Sequence, residues 1–181
     1  MNKKMTFKLS EIVLAPYIQM ATLLIGVRRE VGGNQFRHSL ATLAILLDYK
    51  LIEPVLLKAS VIHDILEDVK GVTEKDIESI DKDGPKVLKL VLELTRRADE
   101  EKGTYLKRLQ QNGSIQAKRI KCADRISNLT DLNLDIRPRR DIQAYLEQTR
   151  KYVIPMAQEA HKPMEVELKE LVSVRRKLIT S

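Results

Sequence analysis

Cysteine is nearly missing from this chain of 181 residues: its one thiol, Cys122, excludes an intramolecular disulfide and fits a reducing compartment. Tryptophan is absent and aromatic residues make up only 4%, so Leu, Ile, Val and Ala must fill the core. The same scarcity argues against a nucleic-acid-binding module, because few rings are present for bases to stack on. No apolar run approaches the roughly 20 residues that span a bilayer. No apolar stretch of signal-peptide length follows Met1-Asn2-Lys3-Lys4 either. A cytoplasmic protein is expected, with neither membrane nor nucleic acid as a partner. Period-2 alternation is missing too, which argues against a sheet. There is no internal repeat, no low-complexity tract and no linker long enough to divide the chain.

What is there is helical. With 43% hydrophobic and 31% charged residues, the composition suits one folded domain, 1–181. The net charge of +7 favours a polyanionic partner, and a multiply phosphorylated small molecule is one such class. Helical periodicity runs almost throughout. The first helix is expected over 9–25, with Pro16 either kinking it or marking a later start. Gly32-Gly33-Asn34 makes 28–37 a loop. Helices follow over 36–48 and from Pro54 to about Val69, the proline in its favoured first-turn place. Thr73 and Asp76 can form a capping box for a short helix. Gly84-Pro85 opens another, and a further one is expected over 104–111. Ser114 begins a long helix through Leu129. Two more are expected over 141–160, with Pro155 inside it, and over 163–179, where an amphipathic face can serve a homo-oligomer contact. The fold class is all-α, an irregular single-domain bundle of about eight to ten helices.

One run stands out: His63-Asp64-Ile65-Leu66-Glu67-Asp68. Four ionisable side chains interrupt a segment otherwise rich in Leu, Ile, Val and Ala. A buried charge is costly unless paired, hydrogen-bonded or metal-bound. On a continuous helix His63 stands over Glu67 and Asp64 over Asp68, which would gather a nitrogen and three carboxylates on one strip. His38 and Asp124 lie on other apolar helices. Two imidazoles and two carboxylates suit Mn²⁺, Fe²⁺, Zn²⁺ or Co²⁺ better than Ca²⁺. Lys121 and Arg125 flank Asp124 but are expected on other helix faces, and Arg137–Arg140 reads as a solvated basic loop first and a phosphate-steering patch second.

The order His38, His63-Asp64, Asp124 resembles the HD-domain metal phosphohydrolase superfamily. The wider match is to the hydrolase domain of the RelA/SpoT homologue family. His63-Asp-x-x-Glu67-Asp68 resembles its HDxxED motif. Lys121-Cys-Ala-Asp124-Arg-Ile-Ser-Asn128-Leu129 is similar to its Lys-x-Ala-Asp segment. "VLKLVLELTR" (87–96), "EQTRKYVIPMA" (147–157) and the pair Arg28-Arg29 also resemble family segments, together covering about 8–160. The resemblance implies an HD-domain fold and a stand-alone small alarmone hydrolase without a synthetase domain. It implies that His38, His63, Asp64 and Asp124 hold one divalent metal, Mn²⁺ foremost. Glu67 and Asp68 would then position and deprotonate the attacking water. Arg28, Arg29 and Asn128 would bind substrate. The implied reaction is (p)ppGpp 3′-pyrophosphohydrolysis, giving GDP or GTP and pyrophosphate. Three departures fall near the nucleotide pocket: Ser39 replaces a Pro after the first His, Asn34-Gln35-Phe36-Arg37 replaces a Pro-Tyr stretch, and Arg29 stands where Lys is usual. Guanine versus adenine specificity therefore stays open. So do ppApp, NADPH or a nucleoside phosphate as substrate, and a sensor that binds a nucleotide without turnover.

Overall fold

A computed structural model describes residues 9–132 and 135–180. Leu9 and Ser10 are helical, and Pro16 marks a fresh start rather than a kink: α1 is Ala15–Ala21 with the proline in its first turn. A 3₁₀ turn, Thr22–Gly26, follows. Then come α2 (Gln35–Asp48), α3 (Pro54–Val61), α4 (Ile65–Asp68), α5 (Glu74–Glu78) and α6 (Gly84–Leu94). The second half holds α7 (Lys102–Asn112), α8 (Ile115–Thr130), α9 (Arg139–Gln148), α10 (Ile154–Ala160) and α11 (Lys162–Thr180). No strand forms among the described residues; one isolated bridge, Arg28 to Asn34, closes the loop before α2.

Helix α8 is the centre. Its residues from Cys122 to Ser127 are all buried, and α2, α6, α10 and α11 pack around it. A helix buried on every side must still satisfy its polar groups, and these are the residues that face the site. The caps follow the sequence closely. Asn34, Thr73 and Ser114 each accept a backbone N–H from the first turn of their helix, and the Thr73–Asp76 capping box is complete.

The expected helix from Pro54 to Val69 is broken. Helix α3 ends at Val61, and Ile62 and Asp64 leave helical geometry (φ −122°, ψ 18° and φ −101°, ψ 1°). The cause is local. The His63 ring nitrogen Nδ1 lies 2.8 Å from the Ser60 carbonyl, the acceptor a continuing helix would have given to the Asp64 N–H. The chain tightens through an Ile65-to-Ile62 bond before α4 begins. The strip expected of a continuous helix, with His63 over Glu67 and Asp64 over Asp68, therefore does not form.

The second half of the 141–160 region also differs from a plain helix. A π-turn, Thr149–Val153, joins α9 to α10 just ahead of Pro155, so the proline sits in the first turn of α10, where its missing N–H costs least. Elsewhere a buried lysine ties α1 and α3 to the start of α6. Lys58 Nζ lies 2.6 Å from Asp81 and 2.7 Å from Asp83, and Tyr17 donates to Asp81 at 2.7 Å.

Gly84 opens α6 where a Cβ would fall 2.2 Å from the Glu78 carbonyl oxygen. Backbone cannot yield as a flexible side chain can. Gly84→Ala is expected to cost about 1–3 kcal/mol, the range for overpacking. Thermal unfolding followed by circular dichroism should show Tm lower by several degrees, and an unchanged Tm would contradict this close approach.

Candidate active site

The break after α3 turns the His63 side chain toward α2 and α8. Ligand atoms of His38, His63 and Asp124 all lie within 4.8 Å of one another. The three residues are 2%, 2% and 4% exposed. His38 Nε2 is 3.0 Å from Asp124 Oδ1, and Asp64 Oδ2 lies 3.1 Å from His63 Nε2 and 3.9 Å from His38 Nε2. All four expected ligands therefore converge.

The far side of each ring is already engaged. His38 Nδ1 sits 3.0 Å from Ser127 Oγ and His63 Nδ1 2.8 Å from the Ser60 carbonyl. With its Nδ1–H donated to a carbonyl, a neutral His63 carries its lone pair on Nε2. That atom is buried, and its nearest acceptor is Asp64 Oδ2 at 3.1 Å. Imidazoles fixed through Nδ1, with Nε2 turned toward two carboxylates, fit a divalent metal with mixed nitrogen and oxygen ligands.

Electrostatics point the same way. Burial opposes charging of His63, yet the Asp64 and Asp124 carboxylates lift it from 6.5 to about 9. Burial likewise opposes ionisation of Asp124, but Lys121 and the two imidazoles hold its carboxyl well below the usual range. Asp64 is held low against its own burial chiefly by His63. Lys121 Nζ lies 2.6 Å from Asp124 Oδ2, so the expectation that it faces elsewhere is corrected: one turn back along α8 is near enough for its long side chain to reach.

Glu67 and Asp68 flank this group on α4. Glu67 accepts from the Arg96 backbone N–H at 2.8 Å, and Asp68 from the Gln35 amide at 2.7 Å. Loss of solvent at their carboxyl groups, with the Asp64 charge adding to it, raises both above the ordinary carboxylate range. Such groups take and return protons nearer neutral pH than a free carboxylate does.

A cleft of about 400 Å³ opens over the cluster. Arg28, Arg29 and Asn128 line it as expected. Arg29 donates to Asn128 Oδ1 at 2.9 Å, and Asn128 in turn donates to Asp124 Oδ1 at 2.6 Å. Of the other lining residues, sequence reasoning missed Gln35, Lys102, Arg125 and Tyr145, whereas Arg137 fits the second reading of its loop, as a phosphate-steering patch. Arg125 is 2% exposed, donates to Thr149 Oγ1 at 2.7 Å and lies 3.9 Å from the Tyr145 ring centre. Lys102 reaches solvent, but burial of its amine beside Arg125 and Lys121 lowers it to about 8. Arg137 is not simply solvated; it pairs with Asp135 and with Glu30 at 2.9 Å. The wall is cationic, and a guanidinium fork matches phosphate oxygens. Nothing in the spacing signals that Lys102 reaches the cleft, because it arrives from a separate segment.

Because His63 is charged at neutral pH without metal, a metal ion must displace its proton. Calorimetric titration of the metal-free protein with a divalent ion at pH 7.5 should give heats that differ between Tris and PIPES by the equivalent of about one proton released. Identical heats would mean that the imidazole was already neutral. The sign for stability follows from the same raised pKa. The contribution is complete below 6.5 and is lost as pH rises through about 9, so metal-free protein should melt at progressively lower temperature across that window.

No protein-family model matches the chain, and no curated protein matches it. Among solved structures, a metazoan ortholog of SpoT, which hydrolyses ppGpp and plays a role in starvation responses, aligns with a TM-score of 0.76 at 24% sequence identity, covering 97% of each chain. The chain therefore shares the all-α fold of that protein over almost its whole length.

Proposed function

We propose that the chain is a divalent-metal-dependent (p)ppGpp 3′-pyrophosphohydrolase, cleaving the 3′-pyrophosphate to release GDP or GTP and pyrophosphate. The observation that carries this reading is the joining of two opposite environments in one cleft. His38, Asp64 and Asp124 line its floor with His63 packed against them, and Arg28, Arg29, Lys102, Arg125 and Arg137 stand around it. The ppGpp-hydrolysing activity of the SpoT ortholog that shares the fold supports the same assignment.

His38, His63, Asp64 and Asp124 would hold the metal, Mn²⁺ in this proposal. Once bound, such an ion polarises a phosphoryl oxygen and acidifies a water. The remaining work falls to the chain. The cationic wall receives the phosphates and fixes the 3′-pyrophosphate over the cluster. Glu67 and Asp68 orient the attacking water and take its proton, a role their raised pKa values suit. The water oxygen bonds to the phosphorus nearest the ribose as the bond from that phosphorus to O3′ breaks, and the proton is returned to O3′. Arg28, Arg29 and Asn128 hold the nucleotide beside the reacting bond.

Purified protein with Mn²⁺ and ppGpp, with products resolved by anion exchange, should yield GDP and pyrophosphate. Glu67→Gln should keep the fold and the bound metal while losing about 10²–10⁴-fold in kcat, the usual worth of a general base. Release of orthophosphate, or full activity in Glu67→Gln, would refute the reaction or the role.

A further inference from the structure

Gln35 is the first residue of α2 and one of the positions at which the chain departs from the family it resembles. Its amide does two separate things. The Nε2 group donates to Asp68 Oδ2 at 2.7 Å. A carboxylate presents only acceptors, so the NH₂ must face Asp68 and the amide oxygen must point the other way. That oxygen, Oε1, is fully buried and receives no hydrogen bond from any described residue, and Gln35 lines the cleft. A buried acceptor left unpaired is costly, so a ligand that supplies a donor is favoured there.

Asn128, the other amide at the site, is already satisfied. Its oxygen takes the Arg29 guanidinium and its nitrogen gives to Asp124. Gln35 Oε1 is the amide acceptor still open. Phosphate oxygens have no hydrogen to offer it. The oxygen belongs to the same small amide group that grips Asp68, so its partner must lie close to the reacting bond. On a nucleotide cleaved at its 3′-pyrophosphate, the donor adjacent to that bond is the ribose 2′-hydroxyl, one carbon away.

We propose that Gln35 is a specificity and positioning residue: its NH₂ orients Asp68, and its Oε1 accepts the hydrogen of the substrate 2′-hydroxyl, selecting ribonucleotides over 2′-deoxyribonucleotides. The inference rests on the 3′-pyrophosphohydrolase reading above. The two functions of the amide are separable by substitution. Gln35→Met removes donor and acceptor at similar length. Gln35→Glu keeps an acceptor and removes the donor to Asp68.

The test compares ppGpp with its 2′-deoxyribose analogue on the metal-loaded enzyme and its variants. Metal content and Tm are measured alongside. Wild type should prefer the ribonucleotide by about 10–100-fold in kcat/KM, the worth of one buried hydrogen bond. Gln35→Met should lose most of that preference and also lose kcat on both substrates, with metal content unchanged. Gln35→Glu should retain the preference while kcat falls, because the donor to Asp68 is replaced by a carboxylate that repels it. A purely structural role would not move the ratio between the two substrates. Wild-type turnover of both nucleotides at equal efficiency would overturn the inference and leave the proposed function standing. An unchanged preference in Gln35→Met would do the same. Absence of turnover on either nucleotide would instead overturn the proposed function, and this inference with it.

Discussion

The contact from the His63 ring to the Ser60 carbonyl is the interaction on which the site depends. By occupying an acceptor that the helix needs, it stops α3 and turns the chain, and the turn swings His63 and Asp64 toward α2 and α8. Had the helix continued, His63 would have stayed in register with Glu67. The ligands and the carboxylates that act on water would then have crowded one stripe. The break divides them: His63 and Asp64 sit in the turn with His38 and Asp124, while Glu67 and Asp68 stand on a separate short helix, each with its own backbone or amide donor.

A second constraint follows from burying that much charge. Asp124 sits in the central helix α8 and is surrounded by partners: His38, Lys121 and Asn128 all reach it. Breaking up such a group by removing one member leaves the others uncompensated in a medium that solvates them poorly. On the opposite wall Arg125 is held by a hydroxyl, a carbonyl and the face of Tyr145 rather than by a carboxylate. Its charge thus faces the cleft without a carboxylate partner, and Lys102 beside it is depressed first by burial and then by the neighbouring cations.

Much of this was legible in the sequence. Prolines at 16, 54 and 85 and caps at 34, 73 and 114 carry their meaning locally, through missing donors and short side chains, and they mark the helix starts correctly. The ligand set was legible because His38, His63, Asp64 and Asp124 are chemically out of place on apolar segments. The break at Ile62 was not, since periodicity alone cannot show a side chain competing for a main-chain carbonyl. The Lys121–Asp124 pair was misjudged for a different reason, the reach of a four-carbon stem. Gln35, Lys102 and Tyr145 come from separate segments, and only the packing of the helices makes neighbours of them.

The chain of bonds from Arg29 through Asn128 to Asp124 joins the loop at the cleft to the His–Asp cluster, which in the proposed function are the nucleotide and metal sites. A nucleotide and an ion whose binding groups share a hydrogen-bonded path have a physical route by which each can alter the hold on the other. If phosphate draws the guanidinium away, Asn128 is left to bind Asp124 alone, and the basicity of that carboxylate changes. The influence is reciprocal in free energy: the ion alters the hold on the nucleotide by the same factor as the nucleotide alters the hold on the ion. Under the proposed function, an affinity measured for metal or for nucleotide would describe the site only at a stated concentration of the other.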